Sequence, residues 1–396
     1  EVQLAYSSLG QTENFELVED DSRHWLTPKI RRHIYDFFCK HFNLPQQTEV
    51  VEINVLPKEN LLAAPTGQLS TSMKGKMIFD IHQEASEKLI LHLKESREHQ
   101  ADHLKNIVEK ARDLSGYDDE NVEQIFITGK YQRNGYSLTK IALQGSGQYM
   151  IPMLLFIPEI NDNYAAIIYL SPEGKIKEAM PGGEIEQLVK KGYVVLAIDL
   201  PGIGELKNTA TRNLAPAYTG VLTGESIVGL RASDINRAVR FLIKRENIAA
   251  HKITAIASGE LCIPLIHAAA FEKNITTTIL IHPLISYESV AMNRYYKIGL
   301  STNPGGGTGH PYEVDFNWGV PGALTAYDLP DLVASIAPRK VIMAGTVDQM
   351  LDPVSFMQIK EVYDFAQRTY KAAEAEGNLI ITTSTNLEEI QTLIPR

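Results

Sequence analysis

Ester chemistry through a covalent intermediate needs three groups. A serine or cysteine attacks, a histidine takes its proton, and a carboxylate orients the histidine. One stretch of this chain has the pattern of the turn that presents such a nucleophile. Ile253-Thr-Ala-Ile-Ala-Ser-Gly-Glu-Leu-Cys262, followed by Ile-Pro-Leu-Ile-His267-Ala-Ala-Ala, reads as a short buried strand, a sharp turn and an apolar helix. A G-x-S-x-G turn needs small residues two before and two after the nucleophile, because strand and helix press together there. With Ala257 in the first small position, the nucleophile position falls on Gly259 and Leu261 fills the second. Glycine has no side chain that can attack. Ser258 in the slot would be flanked by Ile256 and Glu260, and Cys262 by Glu260 and Pro264, both poorer fits. The turn is expected; its nucleophile is missing.

The carboxylate has candidates. Asp348 follows an apolar strand over 341–344, and Asp352 is its neighbour. In this class of site the histidine comes after the acid in chain order. The last histidine in the sequence is His310, and the final strand, 378–382, runs into Thr-Ser-Thr-Asn-Leu-Glu-Glu389. An alternative constellation stays open, in which Ser258 acts with Asp348 and with His282 or His267. His282 stands at a strand end before Pro283, whereas His267 lies about two turns into a helix, where packing in the core is the expectation.

Other histidines invite other chemistry. His24 lies in the polar loop Glu19-Asp-Asp-Ser-Arg-His24, between a strand expected over 14–18 and a helix opened by Thr27-Pro28. A strand, an acidic loop with histidine and a closing helix is how a serine-hydrolase unit ends, which makes His24 a candidate base left over from a preceding unit. His82, His92, His99 and His103 raise a metal reading, and His99 and His103 are one helical turn apart. No H-E-x-x-H pattern accompanies them, so a solvated helix face is expected and neither metal nor cofactor is called for. The G-x-G of Pro201-Gly-Ile-Gly204 lacks a third glycine and a ribose-binding acid at the right distance. Asn303-Pro-Gly-Gly-Gly-Thr-Gly309 lacks the Lys-Ser/Thr of a phosphate loop and reads as a surface loop.

The elements that must position these residues follow from hydrophobic periodicity. Ile30, Ile34, Phe37, Phe38 and His41 line one side of a helix over 29–42, and Leu89, Leu91, Leu93, Leu104, Ile107 and Val108 mark one or two amphipathic helices over 79–115. Strands are expected over 124–128, 136–143 and 151–157, separated by the turn signals Asn134-Gly135 and Gly145-Ser-Gly147. Segment 165–170 is apolar throughout, as in a parallel sheet covered on both faces, and further strands are expected over 193–198, 278–282 and 340–344. Helices over 183–191 and 225–246 alternate with them. Such alternation predicts an α/β sheet with right-handed crossovers. Ser171-Pro-Glu-Gly-Lys175, after the strand 165–170, stands where a hydrolase loop supplies an oxyanion-hole amide.

Composition narrows the classes. The chain has 396 residues, 44% of them hydrophobic and 22% charged, within the range of a globular protein of one large domain plus an extension. A formal net charge of −10 without a basic block argues against a nucleic-acid partner. Cys39 and Cys262 are too isolated for a disulfide framework or a zinc site. No apolar run is long enough to span a bilayer. The chain opens on Glu1-Val-Gln-Leu, without a starting Met, as if continuing something longer.

Several phrases in order resemble the acetyl-xylan-esterase-like branch of the α/β-hydrolases. They are Pro181-Gly-Gly-Glu184 with Gly192-Tyr-Val-Val-Leu, Asp199-Leu-Pro-Gly-Ile-Gly-Glu205, and Gly224-Glu-Ser-Ile-Val-Gly-Leu-Arg231 with Asp234. Val320-Pro-Gly-Ala-Leu324, Tyr327-Asp-Leu-Pro-Asp-Leu332 and Ala337-Pro-Arg339 complete the set, over about residues 120 to 380. The first 72 residues resemble the tail of another such unit, through His24, Phe37-Phe38-Cys-Lys-His41 and Pro65-Thr-Gly-Gln-Leu-Ser-Thr-Ser72. The resemblance implies an α/β-hydrolase fold, a mostly parallel sheet with helices on both faces. It divides the chain into the tail of a first hydrolase unit (1–45), a helical linker (46–118) and a second hydrolase-like domain (119–396). It implies a secreted or periplasmic protein whose partners are acetylated polysaccharide or a small ester and an upstream hydrolase unit. Carried onto this sequence, the triad leaves Gly259 at the nucleophile, Asp348 at the acid and no residue at the base. The second domain is therefore expected to be a non-catalytic, supporting or substrate-facing part of a larger polysaccharide deacetylase. Tyr295, Tyr296 and Trp318, if exposed along one cleft, would favour a binding module.

Overall fold

The computed structural model describes all residues except 47–53, 121–123, 147–148, 160–163, 208–213, 247, 303–311, 315 and 395–396. The glycine-rich loop 303–309 and His310 lie outside the described residues. The chain forms two compact units, Glu1–Gly75 and Lys76–Arg396.

In the first unit a helix over Pro28–His41 starts where the sequence placed it, because the Thr27 hydroxyl accepts the Ile30 amide at 3.2 Å and proline occupies the first turn. The Thr27 hydroxyl in turn donates to Asp20 at 2.5 Å, tying the acidic loop to the cap. The strand expected over 14–18 does not form. Thr12–Asn14 is a 3₁₀ turn and the chain beyond it is extended but unpaired, since the described residues of this unit include no strand to take its backbone groups.

In the second unit two helices, Ile78–Arg97 and Gln100–Ser115, precede the sheet. The second buries His103, Ile107, Ala111 and Ser115, a stripe at four-residue spacing, and ends at Gly116 with φ +68°. His103 thus faces the core, not solvent; the helical period puts it on the stripe of Ile107 and Ala111. Leu93 is buried as expected, but Leu91, also assigned to the apolar face, is exposed and Ile90 is buried instead.

The sheet comprises β1 (Ile125–Arg133), β2 (Tyr136–Gln144), β3 (Met150–Pro158), β4 (Tyr164–Leu170), β5 (Val194–Ile198), β6 (Ile248–Ser258), β7 (Ile275–Ile281), β10 (Lys340–Ala344) and β11 (Leu379–Thr382). A separate antiparallel pair is made by β8 (Leu300–Thr302) and β9 (Tyr312–Val314). Strand order in the sheet is β1-β2-β3-β5-β4-β6-β7-β10-β11. The β1–β2, β2–β3 and β3–β5 pairs are antiparallel, and every pair from β5 onward to β11 is parallel.

Alternate residues of the central strands enter two separate cores, as a two-residue side-chain period requires. Ala166, Ile168, Val194, Leu196, Ala255, Ala257, Val341 and Met343 pack into the larger core with the helices Ile227–Ile243, Cys262–Phe271 and Leu329–Ile336. Ile167, Tyr169, Val195, Ala197, Ile256, Ile342 and Ala344 pack into the smaller one with Glu184–Lys190 and the C-terminal residues Ile390 and Ile394. Burial on both faces explains why these strands read as unbroken apolar runs. The protein has an α/β fold with a mixed, mostly parallel sheet flanked by helices on both sides, consistent with an α/β-hydrolase architecture.

Candidate active site

At the C-terminal end of β6 the chain turns sharply. Ser258 is still extended (φ −126°, ψ 150°), Gly259–Leu261 makes one 3₁₀ turn, and the Cys262–Phe271 helix follows. Gly259 adopts φ +57°, the left-handed conformation of a strained strand-to-helix turn. A Cβ at Gly259 would meet no atom within 4 Å. The backbone at 259 would thus direct a side chain into open space, and none is present.

The neighbouring candidates occupy other roles. The Cys262 thiol is buried, lies 3.4 Å from the Ala257 carbonyl and 3.3 Å from that of Ile281, and burial pushes its pKa well up. It is a packed thiol, not a nucleophile. Ser258 is half-buried, and its hydroxyl has no hydrogen-bond partner among the described residues. His267 is fully buried, with Nδ1 2.9 Å from the Ile263 carbonyl and Nε2 2.9 Å from the Tyr327 hydroxyl. Burial lowers its pKa to about 4, so it stays neutral near pH 7.

His282 follows β7 with φ +54°, a conformation rare for a residue with a side chain. Its amide donates to the Ala344 carbonyl at 2.8 Å, and its Nδ1 lies 3.1 Å from the Gly345 carbonyl. A carbonyl only accepts, so Nδ1 carries the proton and a neutral ring keeps Nε2 free as an acceptor. The ring is exposed. Asp348 accepts the amides of Met350 at 2.7 Å and Asp352 at 3.0 Å, which makes it the organiser of its own loop. Among the described residues no hydrogen bond links Ser258 to His282 or His282 to Asp348. After β11 the loop brings Thr385 against this corner: a Cβ at Gly345 would collide with the Thr385 methyl and crowd the His282 ring. In the first unit, His24 is exposed on its loop.

Three ionic clusters that the sequence reading did not anticipate shape the surroundings. Arg231, almost fully buried, donates from Nε to the Pro201 carbonyl at 3.1 Å and from Nη1 to Glu260 at 3.3 Å. It ties the turn at 259–261 to the helix Ile227–Ile243. Second, the buried Lys175 ammonium contacts both Asp199 and Glu205. Asp199 also accepts the amides of Lys175 at 2.8 Å and Glu205 at 2.9 Å. Gly174 and Gly204 pack so closely on this carboxylate that a Cβ at 204 would overlap it. In the G-x-G after β5, Gly204 encloses Asp199 and Gly202 lies beside the Arg231 guanidinium. Third, Asp331 takes a bidentate Arg97 at 2.7 and 2.8 Å and His103 Nε2 at 3.0 Å. Burial alone would raise the Asp331 pKa; the bonds from His103 and Arg97 outweigh it and hold the carboxyl below its usual range. The signal available for these clusters was an acid at a strand end or helix cap, but its partners lie up to 234 residues away.

The Tyr327-Asp-Leu-Pro-Asp-Leu332 phrase is likewise structural. Asp328 caps its helix and accepts the amides of Tyr287 at 2.6 Å, Glu288 at 3.1 Å and Leu329 at 2.6 Å. Of the three aromatics proposed for a cleft, Tyr295 is exposed, while Trp318 is buried beside Tyr287 and Tyr296. Among the described residues no group of three or more His, Cys, Asp or Glu side chains could hold a metal, and no helix is long and apolar enough to cross a membrane.

No family model and no curated protein matches the sequence. Solved structures do. A protein described as a candidate acetyl xylan esterase from Bacteroides fragilis is similar at TM-score 0.58 and 16% identity, over 73% of this chain and 76% of that one. A glucuronoyl esterase from Solibacter usitatus is similar at TM-score 0.50 and 14% identity, over 73% and 90%. A promiscuous CE15 esterase from a marine bacterial metagenome gives TM-score 0.50 and 12% identity, over 72% and 88%. At such identities the likeness concerns the fold alone.

Proposed function

We propose that the second unit is a hydrolase-fold domain that does not turn over esters and acts as a supporting or substrate-facing part of a larger polysaccharide deacetylase. The observation that carries this reading is Gly259. The turn keeps its positive φ and open surroundings, yet the residue there has no side chain. Without a hydroxyl or thiol no acyl-enzyme can form, whatever oxyanion donors persist. The further parts of the reading are an upstream unit carrying serine and acid, His24 as its proton shuttle, and an extracytoplasmic location. They rest on the resemblance of residues 1–72 to the end of such a unit. Purified chain is expected to hydrolyse neither p-nitrophenyl acetate nor acetylated xylan above background. Hydrolysis that survives a change at His24 would count against it.

A second reading has one observation in its favour. His282 presents a free Nε2 at an exposed strand end, next to the end of the neighbouring strand β6, since Ser258 pairs with Ile281. That would suit a base for Ser258, with Asp348 following the adjacent strand β10. Turnover by the chain that is lost in both Ser258→Ala and His282→Ala would select this reading over the first.

A further inference from the structure

Away from the turn at Gly259, the second unit holds Ser96, His103 and Asp331 in a hydrogen-bonded series. Ser96 Oγ lies 2.9 Å from His103 Nδ1, and His103 Nε2 lies 3.0 Å from an Asp331 carboxylate oxygen. A carboxylate only accepts, so Nε2 carries the proton and Nδ1 of the neutral ring accepts from the serine hydroxyl. The bidentate Arg97 keeps Asp331 ionised and so fixes this tautomer. His103 is buried, its ring edge-on to Phe365 at 5.3 Å, whereas Ser96 is half-buried near the end of the helix Ile78–Arg97. Both line a cavity of about 430 Å³ that shares no residue with Ser258–Leu261, His282 or Asp348. That volume falls within the range of small-molecule sites, roughly 300–1,000 Å³. A serine bonded to a base, the base bonded to an orienting carboxylate and an adjoining cavity together make the arrangement of an activated nucleophile.

We propose that Ser96 is a nucleophile that takes the acyl group of a small carboxylic ester, with His103 as its base and Asp331 as the residue that positions the ring. The Ser96 oxygen attacks the ester carbonyl, a new C–O bond forms, and the bond to the leaving oxygen breaks. The hydroxyl proton passes to His103 Nδ1 and from there to the leaving oxygen. The buried Leu93 and Ile107 in the cavity wall suit a short apolar acyl group. Asn106 and Lys110, further along the helix from His103, bring N–H donors to the same wall and Asp113 brings an acceptor, which suits an alcohol carrying hydroxyls. With an aryl ester, release of the acyl group to water is the slower half, because the serine alkoxide leaves less readily than a phenolate. The inference goes beyond the reading of Gly259, since no residue of that turn takes part.

Mass spectrometry of the full chain after treatment with diisopropyl fluorophosphate tests it, since the reagent forms an O–P bond at an activated serine and releases fluoride. A single adduct on Ser96 is expected, and p-nitrophenyl acetate should release nitrophenolate in a stoichiometric burst that leaves acetyl on Ser96. Ser96→Ala should abolish both and Ser258→Ala should change neither. His103→Gln should slow labelling by about a hundredfold or more, with near-UV circular dichroism confirming a folded core. Asp331→Asn should slow labelling and move its pH midpoint downward, because the ring loses its carboxylate; a tie between helices alone would leave that midpoint in place. Absence of an adduct on the folded wild type, an adduct confined to another residue, or a Ser96 labelling rate unmoved in folded His103→Gln would overturn the assignment. Sustained turnover of p-nitrophenyl acetate that is lost in Ser96→Ala would uphold it while counting against the non-catalytic reading, so the two fail separately.

Discussion

Arg231 Nη1 lies 3.3 Å from the carboxylate of Glu260, the residue immediately after the empty nucleophile position. The guanidinium is 1% exposed and Glu260 about a third exposed, so the turn that would present a nucleophile is anchored from beneath by a buried cation. The same cation holds the Pro201 carbonyl, and thereby joins the loop after β5 to the loop after β6. This pairing holds the turn without a catalytic side chain.

Removing one partner leaves the other uncompensated. Glu260→Ala is expected to cost about 2–4 kcal/mol, because the Arg231 charge stays buried without its carboxylate. Arg231→Met should cost less than Arg231→Ala, since its chain fills the volume. Urea unfolding checks both, with a shift in midpoint at unchanged slope as the expected form.

Gly259→Ser is expected to fold. The added Cβ meets nothing within 4 Å, so the cost is that of a side chain at positive φ, roughly 1–2 kcal/mol. Restoring the hydroxyl should not restore hydrolysis of p-nitrophenyl acetate, because the loop after β11 supplies Thr385 where a histidine would be needed. Accumulation of an acyl-enzyme in mass spectrometry of this variant, lost when His282→Ala is added, would show that His282 serves as base.

Acid and base arms of the stability profile have separate origins. Burial lowers His267 to about 4, below its unfolded value, so the unfolded chain takes up the proton first as pH falls. Stability tied to His267 is present above about pH 6.5 and is lost as pH falls toward 4. Burial raises Asp234 to about 7, although Tyr149 and Ser146 bond to it. Its contribution is present below the unfolded value and is lost as pH rises through about 7. In Asp234→Asn the stability loss between pH 5 and 8 should shrink, by on the order of 2 kcal/mol relative to wild type. Thermal unfolding at matched ionic strength reads the difference.

The helices Ile78–Arg97 and Gln100–Ser115 are pinned to Leu329–Ile336 through Asp331. Asp331→Ala unpairs a partly buried arginine and a buried histidine together and removes an N-terminal carboxylate of its helix. A loss of about 3–5 kcal/mol is expected. Hydrogen exchange should rise first along 78–115, while the strands β4, β5 and β6 stay protected.

Much of this protein is determined by its sequence alone. Apolar runs at 165–170, 193–198 and 341–344 fit strands covered on both faces, so fold class and most strand positions were legible without coordinates. The turn at Gly259 was legible too, because small residues at close spacing between a strand and a helix have few other uses. The tertiary structure decided what local pattern could not carry. The strand expected over 14–18 fails for want of a pairing partner, and His103 leaves solvent because Asp331, 228 residues away, receives it in the core. Asp348 and His282 follow adjacent parallel strands, yet backbone groups claim both, and only the paths of two loops determine that. Periodicity reports which face is buried; it does not report which long-range partner a buried polar group will meet, and here those partners set the site.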